Sequence, residues 1–260
     1  MATPARIVAA GRGARWLGEG WRLFRAAPLS WVAMVFIYWL LMTLVSLLPW
    51  VGIAAASVLV PAFSVGFMSA SRAAAGGGPV PIDSLFSGFR ENLSGQLALG
   101  VAYLGCLALL LGATTLVDGG ALAHWMLVGE RPGAIGETQD GAVFGAMVLA
   151  TALYAPVMMM FWFAPVLTAW HGIGAPKALF FSLIACLINW RAFLVYGAVA
   201  ILLTVVAPTL ALSALLLFSG DSLGAPVTSF LFPLLLVVLP TLLASFYVSY
   251  RDVFGAPEAA

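Results

Sequence analysis

Charge is what this 260-residue chain has least of. Charged residues make up 8% of it, against 63% hydrophobic. An average soluble domain is about 25% charged and roughly 45–50% apolar, so a water-soluble globule of this composition could not cover its apolar surface. A bilayer can, because one helix of about 20 residues crosses its ~30 Å hydrocarbon core. Cysteine and histidine are also scarce, with two of each. Cys106 and Cys186 both stand in apolar surroundings. They make neither a disulfide framework nor a metal site and read as small buried apolar residues. No His/Cys cluster has metal-ligand spacing, so no metal or other cofactor is expected. Net charge is only +1, and no basic run is interleaved with aromatics, so no nucleic-acid partner is expected. Gly76-Gly77-Gly78 lacks the lysine and the strand of a phosphate loop and reads as a flexible linker.

What the chain has is long apolar runs. They predict six spans: Trp31 to Trp50, Gly52 to Ser71, Gln96 to Val117, Ala142 to Trp170, Ala192 to Phe218 and Pro226 to Tyr250. Pro49 and Gly52 divide the first forty-odd apolar residues with a tight turn. The fourth run is long and must tilt, kink or protrude, with Pro156 and Pro165 as kink sites. The first 30 residues carry arginines throughout, with no compact apolar run ahead of a small-residue cleavage site. They predict an uncleaved first span rather than a signal peptide.

The few charges are placed unevenly. Ten of the eleven Lys and Arg residues fall in segments facing one side of the membrane. Arg6, Arg12, Arg15, Arg22 and Arg25 precede the first span. Arg72, Arg90, Lys177, Arg191 and Arg251 lie in later segments on that side, and Arg131 alone lies opposite. The acids split evenly. Lys and Arg, not net charge, set topology, so both termini are expected in the cytoplasm, with the chain multi-pass in a bacterial inner membrane.

Three segments are too short or too polar to cross. Residues 14–27 place Leu17, Trp21 and Phe24 on one helical face, with Arg15, Glu19 and Arg22 opposite. Residues 82–92 gather Ile82, Leu85, Phe86 and Phe89 on one face. Lys177 and Arg191 bracket the third, 176–190, about 20 Å of helix. Such helices lie in the headgroup layer or half-buried against the bundle. The expected fold is therefore all-α: six transmembrane helices as three hairpins, each preceded by an interfacial amphipathic helix. The recurring order suggests a single membrane domain, 1–260, with internal repeats at 12–75, 80–175 and 176–255. Pro61 precedes Arg72 by the same interval as Pro240 precedes Arg251.

No span carries a charged residue near its middle, so there is no sign of a proton relay or ion path. Ser, Thr and Tyr within the spans, Thr43, Thr151, Tyr154 and Thr204 among them, read as helix–helix or backbone hydrogen bonders. An integral-membrane enzyme would have to draw on His124, Glu137 and Asp140 of the outer loop. His171 reads as an interfacial histidine, and Met158-Met159-Met160 as adaptable packing. Arg22, Arg25, Arg90 and Lys177, beside Trp and Phe near headgroup depth, are the candidate contacts to lipid headgroups. Each basic residue is worth about 1 kcal/mol at an anionic surface.

Four stretches carry a resemblance: Gly18-Glu19-Gly20-Trp21-Arg22-Leu23-Phe24-Arg25-Ala26-Ala27-Pro28; Leu85-Phe86-Ser87-Gly88-Phe89-Arg90; Lys177-Ala178-Leu179-Phe180-Phe181-Ser182 through Cys186 to Asn189; and Ser249-Tyr250-Arg251-Asp252-Val253-Phe254. Together they resemble a family of proteobacterial integral inner-membrane proteins of unknown function. The pattern ahead of the fifth span is also distantly similar to the membrane domain accompanying some glycerophosphoryl diester phosphodiesterases, without their hydrolase domain. The resemblance implies an inner-membrane location and carries no activity or site residues. The expected role is non-enzymatic: organising membrane lipids or a membrane-protein partner. The alternative is a carrier or flippase for an apolar or lipid-like substrate.

Overall fold

A computed structural model describes residues 4–49, 51–129, 137–219 and 224–255. The described chain is helical: α1 (Arg12–Ala26), α2 (Pro28–Ser46), α3 (Gly52–Ala75), α4 (Ser87–Arg90), α5 (Leu93–Asp118), α6 (Ala121–Val128), α7 (Glu137–His171), α8 (Ala175–Ile188), α9 (Trp190–Ile201), α10 (Ala207–Ser219) and α11 (Gly224–Phe254). Six helical stretches are long and apolar enough to cross a membrane: Pro28–Ser46, Gly52–Ala75, Leu93–Asp118, Gly141–His171, Trp190–Ala214 and Leu234–Phe254. They match the six expected spans. α11 runs past the expected end at Tyr250 to Phe254, burying Tyr250, Val253 and Phe254.

Local chemistry sets the breaks. Ala27, at φ −151° and ψ 62°, parts α1 from α2; a residue before proline is pushed out of the helical region, and Pro28 then suits the first helical position. Asn92 starts α5 from a left-handed conformation (φ 54°), its side chain accepting from the Gly95 amide. Between α9 and α10, residues Leu202–Val206 form a π-helical turn. It lies just ahead of Pro208, which cannot donate to the Thr204 carbonyl.

The expected helix over 82–92 is instead a 3-10 turn, Ile82–Phe86, followed by the single turn α4. Pro81 starts it, its carbonyl accepting from the Ser84 amide. Leu85 is fully buried, whereas Ile82 is exposed.

Each short segment lies on a spanning helix. α1 packs on α11 and α9, the 82–90 segment on α3, and α8 on α7, while α3, α5 and α7 pack in series. One core gathers Phe163, Leu167, Cys186, Tyr250 and Phe254. A second gathers Phe24, Trp31, Phe63, Phe67 and Leu85. A third holds Trp16, Tyr196 and Val248. Large apolar side chains such as Leu109, Leu116 and Val101 stay exposed on the spans, as a hydrocarbon solvent allows while helices satisfy their own backbone.

Candidate functional site

The groups that could act on a ligand collect around α1. Its buried face differs from the expected one. Leu17 and Phe24 are buried, but Trp21 is 39% exposed, and fully buried Trp16 takes the centre. A Cβ on Gly13 would overlap the Ala192 carbonyl, and one on Gly20 would lie 2.6 Å from the Thr241 carbonyl and 2.9 Å from the Ser245 Cβ. Glycine at these two positions lets α1 lie directly against α9 and α11.

An ion-pair cluster fastens this face. Arg12 Nε donates to Asp252 Oδ2 at 2.6 Å, and Trp16 Nε1 donates to the same oxygen at 2.9 Å. Glu19 bridges Arg12 and Arg251. Burial pulls the Arg12 pKa down, but hydrogen bonding to Asp252 and the charges of Asp252 and Glu19 outweigh it, and the net direction is up. The helical spacing puts Glu19 on the charged face of α1, with Arg15 and Arg22. Here it is held by two arginines, and the partner contributed by α11 could not be read from α1 alone.

Buried Asn189 closes the same end of the molecule. Its Oδ1 accepts from the Val8 amide at 2.8 Å, and its Nδ2 donates to the Arg6 and Ala185 carbonyls at 3.0 and 2.9 Å. The Arg6 amide in turn donates to the Val253 carbonyl at 2.8 Å. The segment ahead of α1 is thus tied to both the α8–α9 corner and the end of α11.

The four predicted headgroup contacts stand on three separate helices, and no ion pair or hydrogen bond joins them. Arg22 and Arg25 are exposed on α1, Arg90 ends α4, and Lys177 is exposed in the first turn of α8. Arg90 faces Asp83 at 3.6 Å, with both side chains about two-thirds exposed. Arg22, Arg25 and Lys177 have no carboxylate partner among the described residues. Arg15 shares that condition and was not singled out by sequence. Arg72, another cation at a helix end, lies 4.4 Å over the Trp170 ring, a cation–π contact.

Beside α1 an apolar groove of about 670 Å³ opens between the α9–α10 stretch and α11, walled by Leu17, Trp21, Leu203, Pro208, Val238 and Leu242. A smaller hollow of about 340 Å³ lies on the arginine side of α1, among Arg12, Arg15, Gly18, Glu19 and Arg22.

The remaining reactive groups are dispersed. Among the described residues, no three of His, Cys, Asp or Glu gather as they would around a metal. His171 Nε2 is 2.7 Å from the Tyr250 hydroxyl. His124 is exposed on α6; the side chains of Glu137 and Asp140, and all of Arg131, lie outside the described residues. Burial pushes the Cys186 thiol up to about 12, against a hydrogen bond with Ser182. Buried Asp118 spends its carboxylate on the Gly120 and Leu122 amides, at 2.9 and 2.6 Å.

Six apolar spanning helices with their charges at the helix ends define an all-α, multi-pass membrane protein. The chain is 40% identical over 257 residues to the "Probable inner membrane protein BTH_II0599" of Burkholderia thailandensis, an alignment covering 96% of this chain and 94% of that protein. It belongs to that family of bacterial inner-membrane proteins. No protein-family model matches the chain, and no solved structure matches it.

Proposed function

We propose that this protein organises lipid in the bacterial inner membrane and turns over no substrate. The observation that carries the reading is the set of exposed basic side chains, Arg22, Arg25 and Lys177, left without carboxylate partners on helices whose other faces are apolar. With Arg90 they form the headgroup contacts, drawn to anionic lipid by about 1 kcal/mol each. α1, the 82–90 segment and α8 lie at the cytoplasmic interface in this reading, with both termini inside. The test is mass spectrometry of the protein extracted with its native membrane. Anionic lipid should be enriched around the wild type over the bulk membrane, and less so when the four residues are changed to Gln. A shell equal to bulk in both would end the reading, and a stoichiometric protein partner would replace it with a scaffold role.

A carrier or flippase for an apolar or lipid-like substrate is the second reading, favoured by the apolar groove beside α1. Proteoliposome flux equal to that of empty vesicles would remove it for the substrate tried.

The lipid-organising role goes with a threefold build, 12–75, 80–175 and 176–255, each unit a short helix followed by a spanning hairpin. What supports it is a pairing that recurs with its partners exchanged. Gly20 of α1 meets Ser245, five residues after Pro240, and Leu85 of the second segment meets Gly66, five residues after Pro61. If the pairs are equivalent, Gly20→Ala and Gly66→Ala should destabilise the protein to a similar degree, since a Cβ at either would run into backbone opposite. A large cost at one position and none at the other would argue against the repeat.

A further inference from the structure

Gly18 lines both the apolar groove and the arginine hollow, so the two approach each other at that residue of α1. Arg15 and Arg22 stand three residues before and four after Gly18, so they share its face of the helix. Leu17, Trp21 and Ala14 turn to the groove on the adjacent face. From this geometry we propose that the protein holds one resident phospholipid with a net anionic headgroup, its phosphate at Gly18 between Arg15 and Arg22 and an acyl chain in the groove. The proposal rests on the lipid-organising reading but narrows it from a diffuse shell to a single site.

Three observations fix the occupant. The groove is the right kind of space. At about 670 Å³ it falls within the roughly 300–1,000 Å³ of ordinary ligand pockets. Its wall on the fifth span runs from Val199 to Ala211, about 18 Å of helix at 1.5 Å per residue, a length that suits an acyl chain running from α1 into the bilayer. Its one hydroxyl on each wall is already spent within its own helix: Thr204 Oγ1 donates to the Ala200 carbonyl and Thr241 Oγ1 to the Val237 carbonyl. Among the described residues the groove's lining is otherwise almost entirely apolar, which disfavours a hydrophilic solute.

The charge at the mouth selects the headgroup. Arg15 and Arg22 have no carboxylate within ion-pair distance among the described residues, while the nearby carboxylates, Glu19 and Asp252, are engaged by Arg12 and Arg251. Guanidinium forks suit a phosphate, and among the described residues both carboxylates near the hollow are already paired, leaving none to receive the amine of a zwitterionic lipid. The π-helical turn at Leu202–Val206 lies along the groove wall, where the fifth span departs from a regular helix.

Gly18 supplies the test. A Cβ there would meet nothing within 4 Å, so the backbone at Gly18 accepts a side chain, and leucine is the better helix former. It would, however, fill the point where phosphate and acyl chain meet. The experiment is native mass spectrometry of the full-length protein after detergent washing, on wild type, Gly18→Leu and Arg15→Gln/Arg22→Gln, with thermal unfolding of each. The expected result is one anionic phospholipid per wild-type chain, lost several-fold in both variants, while Gly18→Leu stays folded and unfolds no earlier than wild type stripped of its lipid. Retention of the same lipid by Gly18→Leu at wild-type stoichiometry would overturn the proposal. So would a wild-type chain that carries a zwitterionic lipid, or none, after the wash. The lipid shell read before washing separates the two ideas: anionic enrichment there with no wash-resistant lipid removes the single site and leaves the lipid-organising reading, whereas a bulk-like shell removes both.

Discussion

Arg12 and Asp252, 240 residues apart in sequence, are joined by a 2.6 Å hydrogen bond from Nε to Oδ2. The same oxygen takes the Trp16 indole proton at 2.9 Å, so one carboxylate of α11 holds two residues of α1. Both ends of the pair are less than a third exposed, which places it between a surface ion pair of about 0–1 kcal/mol and a buried one whose breakage costs roughly 3–5 kcal/mol. Asp252→Asn should therefore cost about 1–2 kcal/mol, while Asp252→Ala should cost more, because it also leaves the Trp16 N–H unpaired at about 1–3 kcal/mol. Unfolding in nanodiscs measures both. The sign of the pH dependence follows from Arg12, whose pKa, against the desolvation that lowers it, is raised above its ordinary value by its pairing with Asp252 and Glu19. A raised cation stabilises fully below its unfolded pKa and fades only as pH climbs through the folded one. Arg12 itself should thus contribute no slope to stability between neutral and mildly alkaline pH. Equal costs for the Asn and Ala variants would show that Trp16 gains nothing from the contact.

Ser182 of α8 sits within the backbone ladder of α7. Its hydroxyl accepts from the Phe163 amide at 2.9 Å and donates to the Met159 carbonyl at 2.7 Å, standing between two groups that would otherwise bond each other. A side chain inserted in this way is one of the recognised causes of a helix bend, and Pro165 lies two residues further on. Ser182→Ala leaves a buried amide and a carbonyl to find new partners, at a cost of about 1–3 kcal/mol. The expected readout is a lowered unfolding temperature together with faster amide exchange near Phe163. An unchanged exchange rate there would mean that the helix re-closes on its own.

These two contacts also show where the sequence is readable. The spans were legible because a bilayer imposes length and hydropathy on every crossing segment. Helix α1 was legible because Arg15, Glu19 and Arg22 recur at helical spacing. Its docking face was not, because Gly13, Trp16 and Gly20 matter only once Ala192, Thr241 and Asp252 are known to lie opposite. The expected helix at 82–92 became a 3-10 turn and a short α turn; apolar spacing marks a buried face but not the tightness of the winding beneath it. Of the candidate headgroup contacts, Arg22 is legible from α1 alone, whereas Arg15 beside it is one more polar-face charge in the sequence. Its unpaired state shows only when Glu19 is seen to be taken by Arg12 and Arg251.

Cys186 and Cys106 offer a chemical reporter of this packing. Cys186 is 1% exposed, whereas Cys106 is half-buried. Burial holds the Cys186 thiol near 12, and only the thiolate attacks an alkylating reagent. Since the folded pKa is raised, the reactive form stays rare until the pH approaches that value. Mass mapping after maleimide treatment at neutral pH should find Cys186 unmodified in the folded protein and modified once it is unfolded. Ser182→Ala should bring that modification forward only by unfolding the protein earlier, since loss of the Ser182 hydrogen bond pushes the folded Cys186 thiol further up. Ready labelling of folded wild-type Cys186 would contradict the burial.

The distribution of Lys and Arg makes the strongest demand on the whole chain. Ten of eleven such residues fall on one side of the six spans, and translocating them would oppose the bias that orients helices during insertion. Reporter fusions after Gly76, between α3 and the 82–90 segment, and after Gly174, just before α8, should therefore read as cytoplasmic. A fusion after Gly129, at the end of α6, should read as external. An external signal at Gly76 would invert the arrangement and move Arg22, Arg25 and Lys177 to the face where anionic lipid attraction is weaker. The lipid-organising reading would then lose its electrostatic basis, even with every helix where it is.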